Sequence, residues 1–326
     1  MKDIKNKIYA MVKNDLDAIE AALKYNLNPH IDLVAKIAGH ILFAGGKRLR
    51  PLLMILSAKL CGYKGKNHIV LSTVFEYLHA ATLLHDDLID EASTRRGKTA
   101  AHLIWGNSET ILTGDFLLAR SIRIATETNN ISLMKNIAEV TEKMSLGEIC
   151  QLMNAGNTDI SEKQYMDIIS GKTAILFQCA CRTGAIIANV PEKVQKALSV
   201  YGFSLGIAFQ MADDLLDYTS ETKTIGKNVG ADLKEGKITL PVIYALKHAC
   251  AKDRATMEKI ITNNVFSQDD FKILIELIKK YNGFSYTRQC AESYAADAKN
   301  ALLFINNSET KNILIDIADY ALSREA

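Results

Sequence analysis

The same acidic pattern occurs once in each half of this chain: Leu83-Leu84-His85-Asp86-Asp87-Leu88-Ile89-Asp90 and Phe209-Gln210-Met211-Ala212-Asp213-Asp214-Leu215-Leu216-Asp217. On a helix, residues four apart lie one above the other, so Asp86 stacks on Asp90 and Asp213 on Asp217. Exposed like charges at that spacing destabilise a helix by about 0.2–0.5 kcal/mol, and by more when apolar neighbours take them out of water. Both clusters follow apolar turns, Ala80 to Leu84 and Leu205 to Met211, which is not where a solvated helix face belongs. A chain that breaks one local rule twice gains something by doing so. Divalent cations are the natural compensation, and oxygen ligands favour magnesium shared between carboxylates and substrate phosphates. The EF-hand is excluded, because it needs alternating ligands and a glycine within a loop.

The surrounding sequence predicts an all-α fold. Prolines occur only at 29, 51, 191 and 241, and long stretches place apolar residues three and four apart. The first 40 residues read as amphipathic helices broken at Asn28-Pro29. Further helices are predicted over 69–91, 108–127 and 132–153, around Gly171-Lys172-Thr173, and from Val190-Pro191 through the second cluster. Pro51 and Pro241 suit first helical turns. No run rich in Pro, Gly and Ser divides the chain, so residues 1–326 are expected to form one domain. Hydrophobic residues make up 48% of it, enough for a sizeable core, and a net charge of +2 gives no general nucleic-acid signal. The six cysteines form no C-x-x-C pair, and the amino terminus is charged and lacks an apolar signal core. Reduced thiols in a cytoplasmic protein without an integral membrane segment are the expectation.

Basic residues gather at Lys47-Arg48-Leu49-Arg50, at Arg95-Arg96 beyond the first cluster, and in the glycine-punctuated stretch from Ser220 to Thr239. Guanidinium forks bind phosphate oxygens in pairs, which makes Arg95 and Arg96 candidates for a diphosphate. Gly171-Lys172-Thr173 is not a nucleotide P-loop, since Met166 stands where that motif needs glycine. His79 lies two turns before Asp86 on the same face. Glu148 with Gln151, and the cysteines, are read as structural support.

Together these motifs resemble the trans-isoprenyl diphosphate synthases, the polyprenyl synthetase family. The resemblance rests on Gly45-Gly46-Lys47-Arg48-Leu49-Arg50-Pro51, the first cluster through Arg95-Arg96-Gly97, Lys172-Thr173, the second cluster from Phe209, and Gly226-Lys227 through Gly236-Lys237, in family order. Within the family the likeness is greatest to synthases of octaprenyl diphosphate, in Glu76 to Thr82 and Gly147 to Met153. Ile238 departs from the proline that relatives often carry. The resemblance implies a single large helical bundle around a deep central cavity, with the two aspartate helices at its mouth.

It also implies roles. Asp86, Asp90 and Asp213 would bind magnesium, about three ions with substrate present, and Asp87, Asp214 and Asp217 would be further ligands or supports. Arg95, Lys172, Thr173, Gln210, Lys227 and Lys237 would hold the allylic diphosphate, with farnesyl diphosphate the expected primer. Lys47, Arg50, His79 and Arg96 would hold isopentenyl diphosphate. A homodimer that delivers its product to the membrane is expected from the likeness alone.

Product length should depend on the helix carrying Asp86. Ala81 and Thr82, one turn before it, are small where shorter-chain relatives tend to carry an aromatic, and Phe75 lies farther back on about the same face. A helical turn rises about 5.4 Å, close to one isoprene unit. The expected product is therefore long, around eight units, for quinone side chains. The alternatives are a shorter-chain synthase making geranylgeranyl or farnesyl diphosphate, or a non-catalytic subunit of a heteromeric synthase.

Overall fold

The computed structural model describes residues 2–219, 230–263 and 267–323. Its helices are α1 (Lys2–Leu27), α2 (Asp32–Leu42), α3 (Leu49–Leu60), α4 (Asn67–Ile89), α5 (Ala101–Trp105), α6 (Asn107–Thr126), α7 (Ile131–Met153) and α8 (Glu162–Ile169). They continue with α9 (Ile175–Ile187), α10 (Glu192–Thr219), α11 (Ala231–Lys234), α12 (Leu240–His248), α13 (Ala251–Ile261), α14 (Gln268–Lys280), α15 (Gly283–Ala301) and α16 (Glu309–Leu322). Among the described residues the only strands are β1 (Thr94–Arg95) and β2 (Lys98–Thr99), an antiparallel pair. The all-α expectation holds. The break at Asn28-Pro29 lies between α1 and α2, since the residue before a proline is driven out of the helical region.

Contacts divide the chain into two compact units. The first comprises Met1–Thr141, Leu176–Gly202 and Ala301–Ile317. Its centre is α4, which packs most extensively on α6 and also on α3 and α1. Every residue of α4 from Leu71 to Leu78 is buried, as befits a helix with no solvated face. Its polar side chains stay inside because each has a partner. The Tyr77 hydroxyl donates to the Leu23 carbonyl at 2.7 Å, and Ser72 and Thr73 donate to the carbonyls of Ile69 and Val70. Against α3, α9 crosses so closely at Gly184 that a Cβ there would lie 2.5 Å from the Met54 carbonyl oxygen and 2.7 Å from the Ala58 nitrogen.

The second unit comprises Glu142–Ile175, Phe203–Asn300 and Ala318–Ala326. Its core includes Tyr165, Met211, Tyr218, Leu240, Leu274 and Ala291. A capping box between Ser161 and Gln164 starts α8, satisfying amides that the first turn would otherwise leave without acceptors. Beyond Ile169 the chain widens into a π-helical turn, Ser170–Ala174, before α9. Within this unit the turn meets α7 glycine to glycine. A Cβ at Gly147 would lie 2.6 Å from the Lys172 nitrogen, and one at Gly171 would lie 3.0 Å from the Gly147 Cα.

Gly184→Ala tests the α3–α9 crossing, because backbone atoms cannot swing aside as a flexible side chain would. The substitution should destabilise the protein by about 1–3 kcal/mol, read as a lower urea midpoint. An unchanged midpoint would show that the two helices are not in contact there.

Candidate active site

In the first unit the acidic cluster occupies the end of α4. The helix stops at Ile89, two residues short of the predicted Glu91, and Asp90 is its C-cap. The Asp90 amide still donates to the Asp86 carbonyl at 2.8 Å, so the one-turn stacking survives the helix end. Asp86 and Asp87 are buried and Asp90 is half-buried. Asp87 is engaged within the protein: one carboxylate oxygen accepts from Arg95 Nε at 2.6 Å and also pairs with Arg95 Nη2. Its other oxygen is buried and has no hydrogen-bond partner among the described residues.

The hairpin explains how two adjacent arginines serve different places. Thr94 pairs with Thr99 and Arg95 with Lys98, leaving Arg96 and Gly97 as a two-residue turn. Both have left-handed φ, 51° and 74°, the signature of the type I′ turn that matches strand twist. Arg95 therefore returns to Asp87, while Arg96 Nη1 donates to the Gly45 carbonyl. Neither the hairpin nor its turn was predicted, because two-residue strands leave no alternation to read.

His79, Arg50 and Arg96 belong to the same cationic group. Burial and then Arg50, Arg96, Arg95 and Arg48 hold the His79 imidazole well below its ordinary pKa, and so neutral. The Arg50 guanidinium lies 4.8 Å from the centre of the buried Phe177 ring, a cation–π contact that fixes its direction. Lys47 is half-buried one residue before Arg48. Of the chain-length candidates on α4, Phe75 is fully buried, Ala81 is buried, and Thr82 donates its hydroxyl to the His79 carbonyl at 2.9 Å.

In the second unit Asp213 and Asp217 are half-buried on α10, and Asp214 between them is buried. Asp214 accepts from the Tyr165 hydroxyl at 2.7 Å and from Gln210 Nε2 at 2.8 Å. The Gln210 carbonyl oxygen in turn accepts from Thr173 Oγ1 at 2.8 Å. Burial first, and then the Asp232 carboxylate, push the Asp214 pKa up to about 8, against the lowering effect of its two donors. Asp217 accepts from the Asp232 amide at 3.2 Å, at the start of α11. Lys172 pairs with Glu148 at 2.6 Å, and Gln151 donates to the other Glu148 oxygen at 3.2 Å. Lys237 pairs with Glu235 at 2.6 Å. Lys227 lies outside the described residues.

The structure thus gathers Asp86, Asp87, Asp90, Arg95, Arg96, Lys47, Arg50 and His79 in one unit, and Lys172, Thr173, Gln210, Asp213, Asp214 and Asp217 in the other. Sequence reasoning missed Tyr165, which nothing in its local pattern distinguishes from a core tyrosine. It also missed the Lys172–Glu148 pairing, although both lie beside the glycines that meet. Among the described residues no three His, Cys, Asp or Glu side chains are arranged to hold a metal by themselves. Each cluster instead offers a one-turn carboxylate pair, Asp86 with Asp90 and Asp213 with Asp217. That donor set fits magnesium, which binds through one or two carboxylates and fills its other positions with water and phosphate oxygens.

Tyr165→Phe removes a donor from the buried Asp214 carboxyl group without changing the packing volume much. It should cost about 1–3 kcal/mol of stability, measured by urea denaturation at neutral pH. A midpoint equal to that of the unaltered protein would show that the Tyr165–Asp214 bond contributes nothing.

Comparison with known proteins bears on the whole chain. A profile of the polyprenyl synthetase family matches residues 31–278. The octaprenyl diphosphate synthase of Escherichia coli (strain K12) is 35% identical over 319 residues, covering 98% of this chain and 98% of that protein. A polyprenyl synthase from Caulobacter crescentus CB15, solved in complex with calcium and isoprenyl diphosphate, superposes with a TM-score of 0.93 at 37% identity, covering 98% of each chain. A decaprenyl diphosphate synthase from Rhodobacter capsulatus gives 0.92 at 37% identity, covering 98% of this chain and 99% of that one. With two aspartate pairs on helices, arginines and lysines around them, and this similarity along nearly its full length, the chain belongs to the polyprenyl synthetase family of prenyl-transferring enzymes.

Proposed function

We propose that this chain condenses isopentenyl diphosphate head-to-tail onto an allylic diphosphate, with farnesyl diphosphate as primer and magnesium as cofactor. The product is a trans-polyprenyl diphosphate of about eight units, destined for quinone side chains. The observation that carries this reading is the recurrence, on α4 and on α10, of a one-turn aspartate pair with phosphate-binding side chains beside it. The 35% identity to an octaprenyl diphosphate synthase and the 37% identity to a decaprenyl diphosphate synthase support a long product.

Residues 1–326 act as one catalytic domain in this reading. Asp86, Asp90 and Asp213 hold about three magnesium ions together with substrate. Asp87, Asp214 and Asp217 support them, the first two through the Arg95, Tyr165 and Gln210 bonds described above. Arg95, Lys172, Thr173, Gln210, Lys227 and Lys237 hold the allylic diphosphate, and Lys47, Arg50, His79 and Arg96 hold isopentenyl diphosphate. Magnesium, when bound, supplies neutralisation of the departing diphosphate. The allylic carbon–oxygen bond breaks to leave a carbocation, and the electrons of the isopentenyl double bond form the new carbon–carbon bond. A proton is then lost, and the released diphosphate can accept it, so no strong protein base is required. The cationic side chains act by being in place before charge develops, which avoids reorganisation during the step.

The growing tail runs back along α4 from Asp86. In this reading small Ala81 and Thr82 leave the path open and Phe75 contributes to its floor; all three lie on α4, with Ala81 and Phe75 buried and the Thr82 hydroxyl bonded to the His79 carbonyl. Each added five-carbon unit gains roughly 4 kcal/mol on burial at about 0.8 per carbon, so growth proceeds until sterics stop it. Exposed apolar side chains on the first unit, Leu103 and Ile104 on α5 and Ile111, Leu112 and Ile122 on α6, support association with a second copy. Among the described residues no helix is long and apolar enough to cross a membrane. In this reading the enzyme is cytoplasmic and delivers its product to a membrane.

Given isopentenyl and farnesyl diphosphates with magnesium, the purified protein should yield a product whose mass corresponds to about eight units. Asp86→Ala should lower turnover by about a hundredfold or more while the circular dichroism spectrum stays helical; near-normal turnover would remove Asp86 from the metal site. Ala81→Tyr should shift the products to shorter chains, and an unchanged mass distribution would place the tail elsewhere.

A further inference from the structure

We infer that Arg48, which none of the roles above includes, is a positioning residue for the isopentenyl diphosphate site, setting the direction of Lys47 and Arg50 without touching substrate itself. This inference rests on the proposal that Lys47 and Arg50 bind that diphosphate.

Arg48 is the middle residue of a basic run, yet it is buried while Lys47 and Arg50 on either side are half-buried. All three of its guanidinium nitrogens are committed to other parts of the first unit. Nε donates to Glu20 of α1 at 2.5 Å, Nη1 to Glu76 of α4 at 2.7 Å, and Nη2 to the Leu42 carbonyl at the end of α2 at 2.6 Å. A planar fork with fixed donor directions can meet three acceptors at once, and a lysine ammonium cannot match that geometry. Burial disfavours the charge, but Glu20 and Glu76 outweigh it and keep the guanidinium ionised. Two carboxylates against one cation leave this trio net negative. It therefore has no attraction for an arriving anion.

The backbone shows what the commitment achieves. Arg48 is the N-cap of α3 and adopts a left-handed φ of 48°, a conformation that a non-glycine residue holds only where its surroundings enforce it. That reversal separates the direction of Lys47 from that of the helix bearing Arg50. Gly46, at φ 148°, lies under both the Arg48 and the Arg96 guanidinium groups, and a Cβ there would be 3.2 Å from an Nη1 of each. Arg96 also donates to the Gly45 carbonyl. The segment Gly45 to Arg50 is thus fastened from beneath by Arg48 and from the hairpin by Arg96, with Arg50 braced on Phe177.

The test is steady-state kinetics of Arg48→Lys, varying each diphosphate in turn. The KM for isopentenyl diphosphate should rise about tenfold or more while the KM for farnesyl diphosphate stays within about twofold. Glu20→Gln, altering the partially exposed partner, should give a smaller change in the same direction and provides the reading if Arg48→Lys does not fold. Equal rises in both KM values, or no rise in either variant that folds, would overturn the inference. Arg50→Ala is measured alongside. If it leaves the isopentenyl diphosphate KM unchanged, the substrate assignment itself fails and the inference falls with it; if it raises that KM and Arg48→Lys does not, the inference alone fails.

Discussion

The structure depends on keeping carboxylates ionised, or held by donors, after the fold has withdrawn them from water. An unpartnered buried charge costs several kcal/mol, and this chain withdraws two clusters of them. In each cluster the second aspartate of the adjacent pair is the deeper one, Asp87 and Asp214, and each has its own means of support. Asp87 is met by a guanidinium from a hairpin, and Asp214 by a tyrosine hydroxyl and a glutamine amide. The outer members, Asp90, Asp213 and Asp217, keep partial exposure.

Much of this was legible in the amino-acid sequence. The spacing of Asp86 with Asp90 and of Asp213 with Asp217 indicated stacked pairs on helices, and α4 and α10 carry them. The helix break at Pro29 and the places of Pro51 and Pro241 in the first turns of α3 and α12 follow from the missing amide and fixed φ of proline. Less legible were features made by contacts distant in sequence. Arg48 and Arg50 look alike as letters, and only the acceptors brought to Arg48 by three other helices distinguish them. Tyr165 lies far from Asp214 along the chain, and no local pattern links the two.

The π-helical turn at Ser170–Ala174 also had no signature in composition, yet it contains Lys172 and Thr173, which are proposed to hold the allylic diphosphate. Such turns insert an extra residue into a helical ladder and often occur at functional sites. Here the two glycines at 147 and 171 let backbones touch, which places Lys172 beside Glu148 and Thr173 within reach of Gln210. Side chains in this region owe their positions to the absence of side chains next door.

The hairpin between α4 and α5 has a consequence for how this stretch can change over time. With only Arg96 and Gly97 linking its strands, it has no slack to absorb a change in residue count. Inserting or deleting one residue would disturb the register that sends Arg95 to Asp87 and Arg96 to the Gly45 carbonyl, whereas replacing the exposed Lys98 side chain would leave both contacts intact. The segment is accordingly fixed in length, and in residue type at Arg95, Arg96 and Gly97.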